Sequence, residues 1–346
     1  MVSALTSQRI SEILSTIGID GKQTFCSRWM KQVAENDYLC YDLTSISSYA
    51  QFNEHIRYGY NRDGESLPQL NLAMLFGQKS GLPVYFQHLP GNITDVTTLC
   101  NLLKRVKALE SKKLHYVMDR GFYSQRNIQQ LLQERHKFII AVPNHLRWMQ
   151  TAIDSIHEQV HSPQHYQMID QEVVYVHSRL HAFGSSKRRC YLHLYYNPKA
   201  RAAAIDRFYE KLIRYKQELE TNAPNERHRE AYDTYFIVKI TPKRGIKVSY
   251  NDKEVRRYVN RYAGFQAIFT DSIKDPVIAL QVYRDKDSVE KCFDDLKNQL
   301  DMNRLRMHSV ESMQGRLFVQ FLALIYMSAL RKQIRVSILP HYQNPL

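Results

Sequence analysis

The sequence predicts an α/β fold built on one central sheet that a second segment interrupts, and three observations carry that expectation. Between residues 38 and 143, segments of strand and helix character follow in the order strand, strand, strand, helix, strand, helix, strand. After Pro143 the texture changes to alternating and basic stretches that run to about residue 264. Buried-strand character returns in "FQAIFTD", residues 265–271, before a charged amphipathic helix.

Taken in order, residues 1–36 read as two helices, "SQRISEILSTIG" and "KQTFCSRWMKQVAEN", joined across Gly18 to Gly21. "DYLCYDLTSISS" is a strand of alternating apolar residues ending in hydroxyls. "LPQLNLAMLFGQKSGLPVYFQHLPG" gives two strands joined by a turn at Lys79 to Gly81. "GNITDVTTL" supplies a turn and a helix N-cap at Thr94 or Asp95, and that helix runs to about Leu109. "LHYVMDRGFYS" is a short apolar strand ending in Asp119, and a helix from Ser124 to Arg135 leads to the buried strand "FIIAVP". Residues 144–264 then read as an inserted domain. It contains "QEVVYVHSRLHAF", "RRCYLHLYYN", a basic helix from Lys199 to about Glu220, and the strand pair "YFIVKITPKRGIKVSYN". The core resumes over 265–335, where Asp275-Pro276 fit an N-cap and first helical position. "LFVQFLALIYMSAL", Leu317 to Leu330, is too short to span a bilayer and reads as a buried helix before a tail at 336–346.

Composition narrows the function classes. Hydrophobic residues make up 44% of the 346, which excludes a disordered chain. A net charge of +14 and a pI near 9.4 favour a polyanionic partner, nucleic acid before membrane. No signal peptide opens the chain. The five cysteines are odd in number and lack CxxC spacing, which points to a reducing cytoplasm and away from a zinc site or disulfide framework. His55, His88, His115, His136, His145 and His308 are scattered without a ligand motif.

The chemistry concentrates in "YRDKDSVEKCFDDLK", residues 283–297. At about 100° per residue, Tyr283, Lys286, Glu290, Phe293, Asp294 and Lys297 share one sector of a helix, beside an apolar stripe of Val289, Phe293, Leu296 and Leu300. A solvated face with i, i+4 ion pairs would give the same pattern, and Asp287 with Glu290 could form a capping box. Two further acids stand on apolar strands: Asp42, followed by Leu43-Thr44-Ser45, and Asp119, followed by Arg120-Gly121. Either could simply cap a turn. A buried strand acid is costly unless it is paired or binds a metal. Together, Asp42, Asp119 and Glu290 would make a hard-oxygen site for Mg²⁺, with Mn²⁺ able to substitute. Asp63 in "NRDGES" reads as an Asp-Gly turn, and Asp95 as a cap.

These residues carry a resemblance. Tyr283, two residues, Lys286, three residues, Glu290, six residues, Lys297 is similar to the YREK signature of insertion-sequence transposases of the DDE type, with Lys in place of Arg at 286. "YDLTSI", "PGNITDVTTL", "VMDRGFYS" and "FQAIFTD" resemble, in order, the family's first-Asp strand, its Gly-Asn turn and helix, its second-Asp strand, and the strand before the final helix. The resemblance implies an RNase H-like mixed five-stranded sheet flanked by helices, over 37–143 and 265–335, with a largely β insertion between the second Asp and the Glu. It implies a cut-and-paste DNA transposase, acting in the bacterial cytoplasm and on the nucleoid. Asp42, Asp119 and Glu290 would hold the metal, while Tyr283, Lys286 and Lys297 grip the transposon-end backbone. Its partners would be DNA ends and target, with a homodimer in the DNA complex. Trp148 is a candidate for stacking on a base, though a core role is expected. Only 41 residues precede Asp42, fewer than the family's usual end-recognition region, so the alternative is a DNA-binding remnant without transposition activity.

Overall fold

A computed structural model describes residues 6–34, 37–50, 53–108, 113–184, 187–241, 245–307 and 309–338. The chain opens with helices α1 (Ser7–Ser15) and α2 (Ile19–Val33). Strands β1 (Tyr38–Ser48), β2 (Gln69–Gly77) and β3 (Pro83–Pro90) follow, then α3 (Asp95–Ala108), β4 (His115–Met118), α4 (Gln125–Gln133) and β5 (Lys137–Ala141). Next come α5 (Arg147–Asp154), β6 (Tyr166–Ile169), β7 (Glu172–Phe183), β8 (Arg188–Tyr196), α6 (Pro198–Glu220), α7 (Arg229–Tyr235), β9 (Phe236–Thr241), β10 (Gly245–Tyr250) and α8 (Asp252–Arg257). The chain then runs through β11 (Phe265–Thr270), α9 (Pro276–Arg284), α10 (Asp287–Asp294), β12 (Arg304–Leu305) and α11 (Val310–Ile338).

Among the described residues ten strands form one mixed sheet in the order β3-β2-β1-β4-β5-β11-β8-β7-β6, with β12 parallel to β1 off that path. This corrects two expectations. The sheet has ten strands rather than five. Strands β6 to β8, assigned by the sequence to the insertion, are hydrogen-bonded members of the same sheet. Alternating apolar residues specify a half-covered strand but not which sheet it joins. The tail at 336–346 falls outside the described residues beyond Ile338, as does His308.

Two compact units divide the chain. The first comprises Met1–Ala141, Ala182–Cys190 and Phe269–Leu346, and the second Val142–His181 and Tyr191–Ile268. In the first unit β1 is antiparallel to β2 and parallel to β4, and β4 is parallel to β5. Residues of both faces of β1 are buried, including the hydroxyl-bearing Thr44, Ser45, Ser47 and Ser48 at its end. Helix α11 packs its Met313, Leu317, Phe321 and Leu324 face inward, with Phe321 against Phe86 at 4.7 Å and Phe318 against Phe25 at 5.5 Å. By length and hydropathy α11 could cross a membrane; the buried helix expected over Leu317–Leu330 is buried on one side only, with Val319, Tyr326 and Leu330 exposed. Helix α1 packs on α11, and Gly315 permits the approach, since a Cβ there would stand 2.0 Å from the Leu14 carbonyl oxygen.

The second unit has its own core of Phe208, Leu212, Tyr232, Phe236, Val248 and Val255, contributed by α6, α7, the β9–β10 hairpin and α8. With these helices it is mixed α and β, not the largely β insertion expected. Its α6 begins one residue before the expected Lys199 and ends at the expected Glu220, capped by Asn197 with Pro198 at the first position. Trp148, on α5, is half-buried with its ring 4.8 Å from that of His181.

Candidate active site

The site is built where β1 and β4 run side by side. Their parallel register ends with Tyr41 opposite Met118, so the next step sets Asp42 beside Asp119 at the carboxyl end of β4. Neighbouring strands are about 4.8 Å apart, so the two carboxyl groups feel one another. Asp42 accepts the Leu43 backbone N–H at 2.8 Å, its one hydrogen bond among the described residues. Burial pushes its pKa up to about 6; the Leu43 N–H, Lys286 and Arg62 oppose this, and Asp119 adds to it. Asp119 caps the short 3₁₀ turn Arg120–Phe122, accepting the Arg120 backbone N–H at 2.7 Å. The turn-capping role that the sequence left open for Asp119 is thus present. Tyr283 donates its hydroxyl to Asp119 Oδ1 at 2.8 Å. Burial first, then the Asp119 charge and hydrogen bond, raise the Tyr283 pKa, so the phenol stays a donor.

Helices α9 and α10 bring the third acid. Gln78 Nε2 donates to the Val282 carbonyl at 2.8 Å, tying α9 to the end of β2. Helix α10 packs over β1 and β2 through Val289, Cys292 and Phe293, with Cys292 Sγ 3.4 Å from Met74 Sδ, and Met74 is the register partner of Asp42. Glu290 is exposed and accepts from Lys286 Nζ at 2.9 Å. No capping box forms, because α10 starts at Asp287 and Glu290 turns back to Lys286.

The single helical sector expected for Tyr283, Lys286, Glu290 and Lys297 is corrected. The helix breaks at Asp285 and Lys286, where i to i+3 bonds replace the α ladder, and a π turn follows at Asp295–Gln299, closed by Leu300 N to Asp295 O at 3.1 Å. The π turn advances Lys297 out of the ideal phase. Lys297 Nζ donates to both Asp63 oxygens, each at 2.7 Å. Asp63, dismissed from sequence as a turn residue, is therefore an ionic partner of the site.

Lys286 joins the three acids. Its side chain is only 17% exposed. Burial works against its charge, but the Glu290 hydrogen bond and the charges of Glu290, Asp119 and Asp42 hold its pKa above the ordinary value. Sequence reasoning also missed Arg62, whose guanidinium bonds the Asp95 carboxylate and reaches Ser45 Oγ at 3.4 Å. Asp95 packs against Gly121, where a Cβ would come within 3.2 Å of its Oδ2. The "NRDGES" sequence carried the signal only as charge. Among the described residues no three His, Cys, Asp or Glu side chains stand close enough to cage an ion. The donor chemistry nevertheless fits one, since all three acids are hard oxygen donors and the half-buried Asp42 has no bonded cation among the described residues.

Two acids at the ends of adjacent parallel strands, and a third on a helix packed over them, are a hard-oxygen donor set on an α/β sheet, beside basic groups. Residues 34–326 match the family described as "Transposase DDE domain", and the chain belongs to that family. No curated protein matches it. Among solved structures it is similar to a piggyBac transposase synaptic complex with hairpin DNA, at 10% identity and a TM-score of 0.44, covering 89% of this chain and 50% of that one. It is also similar to a Drosophila P element transposase strand transfer complex, at 14% identity and a TM-score of 0.19, covering 50% of this chain and 48% of that one. The chain thus spans about half the length of these structures.

Proposed function

We propose that the chain is a metal-dependent DNA transposase of cut-and-paste type acting at insertion-sequence ends, in the YREK-marked branch. The observation that carries this reading is the half-buried ammonium of Lys286, hydrogen-bonded to Glu290 at 2.9 Å and in the electrostatic field of Asp42 and Asp119. That single ammonium offsets only part of the carboxylate charge, which leaves room for a divalent ion. Asp42, Asp119 and Glu290 would be the ligands of Mg²⁺ or Mn²⁺. When bound, the ion supplies the charge that activates a water or 3′-hydroxyl and stabilises the leaving oxygen of a phosphodiester. The protein's own groups then do the positioning. Tyr283 fixes the Asp119 carboxylate by donating to it. Lys286, on leaving Glu290, offers its ammonium to a backbone phosphate, as does Lys297 on leaving Asp63. The path β3-β2-β1-β4-β5 supports reading those five strands as the RNase H-like part of the sheet. Action on DNA by a homodimer, in the cytoplasm and on the nucleoid, belongs to the same reading.

A second reading, a DNA-binding remnant without transposition, is favoured by one observation: the acids are not gathered into an ion cage among the described residues. The deciding experiment is cleavage of duplexes bearing the element's own inverted repeats, against scrambled DNA, with Mg²⁺ or Mn²⁺. Metal-dependent nicking that Asp42→Asn, Asp119→Asn and Glu290→Gln each abolish is expected. Nicking that survives Asp42→Asn would sink the assignment, and DNA binding without any nicking at low salt would leave the remnant.

A further inference from the structure

At the other end of the same strands lies a second basic site. A cavity of about 340 Å³ is lined by Lys113, Leu132, Arg135, His136, Lys137, Arg188 and Asp271, all in the first unit. Lys113 lies just before β4 and Lys137 opens β5, whereas Asp119 follows the last residue of β4. Four strand residues at about 3.3 Å each put roughly 13 Å between the two ends.

We propose that this cavity binds a phosphate group at the end of the sheet opposite the acid site. Four permanent cations line it, against one acid. Asp271 pairs with one of them, accepting from Lys137 Nζ at 3.0 Å and from the Phe138 backbone N–H at 3.1 Å, which leaves Lys113, Arg135 and Arg188 as the cations not offset by it. His136 adds no charge, because burial lowers its pKa despite Glu134, and its Nδ1 accepts the Leu114 N–H at 3.2 Å. Lys113, Arg135 and Arg188 are exposed. Arg188 is aimed by donating to the Leu132 carbonyl at 2.7 Å, which leaves the rest of its five-donor fork for an anion.

Arg135 supplies an independent observation. It sits at φ 61°, the left-handed conformation that follows a helix, where glycine or asparagine is the usual residue. The turn closes in the ordinary way, with His136 N to Leu131 O at 3.0 Å, so nothing in the backbone calls for arginine. The side chain of Arg135 thus lines the cavity from a position whose backbone would favour glycine. The ligand chemistry is a phosphate monoanion or diester, supplied either by a DNA backbone or by a small phosphorylated molecule.

The DNA source rests on the proposed function; the phosphate site itself does not. The test therefore uses the full chain in EDTA, so that a failure of cleavage cannot enter. Affinity for a labelled duplex is measured by anisotropy against salt, and melting temperature is measured with inorganic phosphate, for wild type, Arg135→Gly and Lys113→Ala/Arg188→Ala. If DNA is the source, the salt slope falls by about one for Arg135→Gly and about two for the double variant. If a small molecule is the source, the slopes stay and phosphate raises the wild-type melting temperature but not that of the variants. Arg135→Gly separates binding from folding, since glycine accepts this φ and the variant should melt no lower than wild type. Unchanged slopes together with unchanged phosphate stabilisation would overturn the proposal.

Discussion

Replacing Asp42 by Asn should destroy cleavage and stabilise the metal-free fold. Burial raises the Asp42 pKa from 3.8 to about 6, so the folded state holds its proton more tightly than the unfolded chain does. Stability therefore falls as pH rises through the window from about 4 to 6, and above it the ionised carboxylate is a standing cost. At 1.36 kcal/mol per unit, a shift of about two units corresponds to roughly 3 kcal/mol; water entering the half-open site lowers this to about 1–3 kcal/mol. Asn keeps the acceptor for the Leu43 N–H, so little is lost in exchange. Denaturant unfolding of both proteins in EDTA, at pH 5 and pH 7.5, gives the answer. The stability gain should be large at pH 7.5 and shrink at pH 5. Adding Mg²⁺ should stabilise wild type more than the variant. An Asn variant no more stable than wild type at pH 7.5 would refute the idea that Asp42 carries uncompensated charge.

Asp63→Asn should free Lys297, raising metal-free DNA affinity and steepening its salt dependence by about one phosphate contact, whereas Lys297→Ala should flatten it by about one. Identical slopes in both variants would make the pair a structural one. Lys286→Met removes the cation shared by three acids, so the metal-free protein should lose about 1–3 kcal/mol at pH 7.5 and recover part of it on acidification; equal loss at pH 5 would mean that packing, not charge, is responsible. Gly315→Ala drives a methyl into the Leu14 carbonyl and should cost about 2–4 kcal/mol, read as a lower denaturation midpoint and earlier proteolysis of α1.

Local pattern made most elements legible. The apolar runs around Asp42 and Asp119, the Asn197-Pro198 start of α6 and the Asp275-Pro276 start of α9 are short-range signals, and each element begins within a few residues of where those signals place it. What sequence could not supply was long-range. Asp63 finds Lys297 across 234 residues, and a turn acid looks the same whether or not a lysine waits for it. The membership of β6 to β8 in the main sheet depends on strand pairing, which alternation leaves open. The break at Asp285 and Lys286 has no proline or glycine to announce it, so an uninterrupted helix was the natural expectation.

That break bears on the chemistry. A continuous α-helix would keep Tyr283, Lys286, Glu290 and Lys297 in one rigid sector. Instead a 3₁₀-like joint lets Tyr283 reach Asp119 from α9, while Lys286 lies at the head of α10 and reaches Glu290 one turn on. The π turn sends Lys297 to Asp63. Among the described residues the acids thus have provisional partners, a phenol and a backbone N–H for Asp119 and an ammonium for Glu290, whereas the Asp42 carboxylate has a backbone N–H alone. Loading a divalent ion on such a site is an exchange rather than an addition. If Asp42, Asp119 and Glu290 held a divalent ion as proposed, Glu290 would have to part from Lys286, and the released ammonium would be free for a backbone phosphate. Metal affinity and DNA affinity should therefore be coupled through Lys286, each favouring the other, because both draw on the same broken pair.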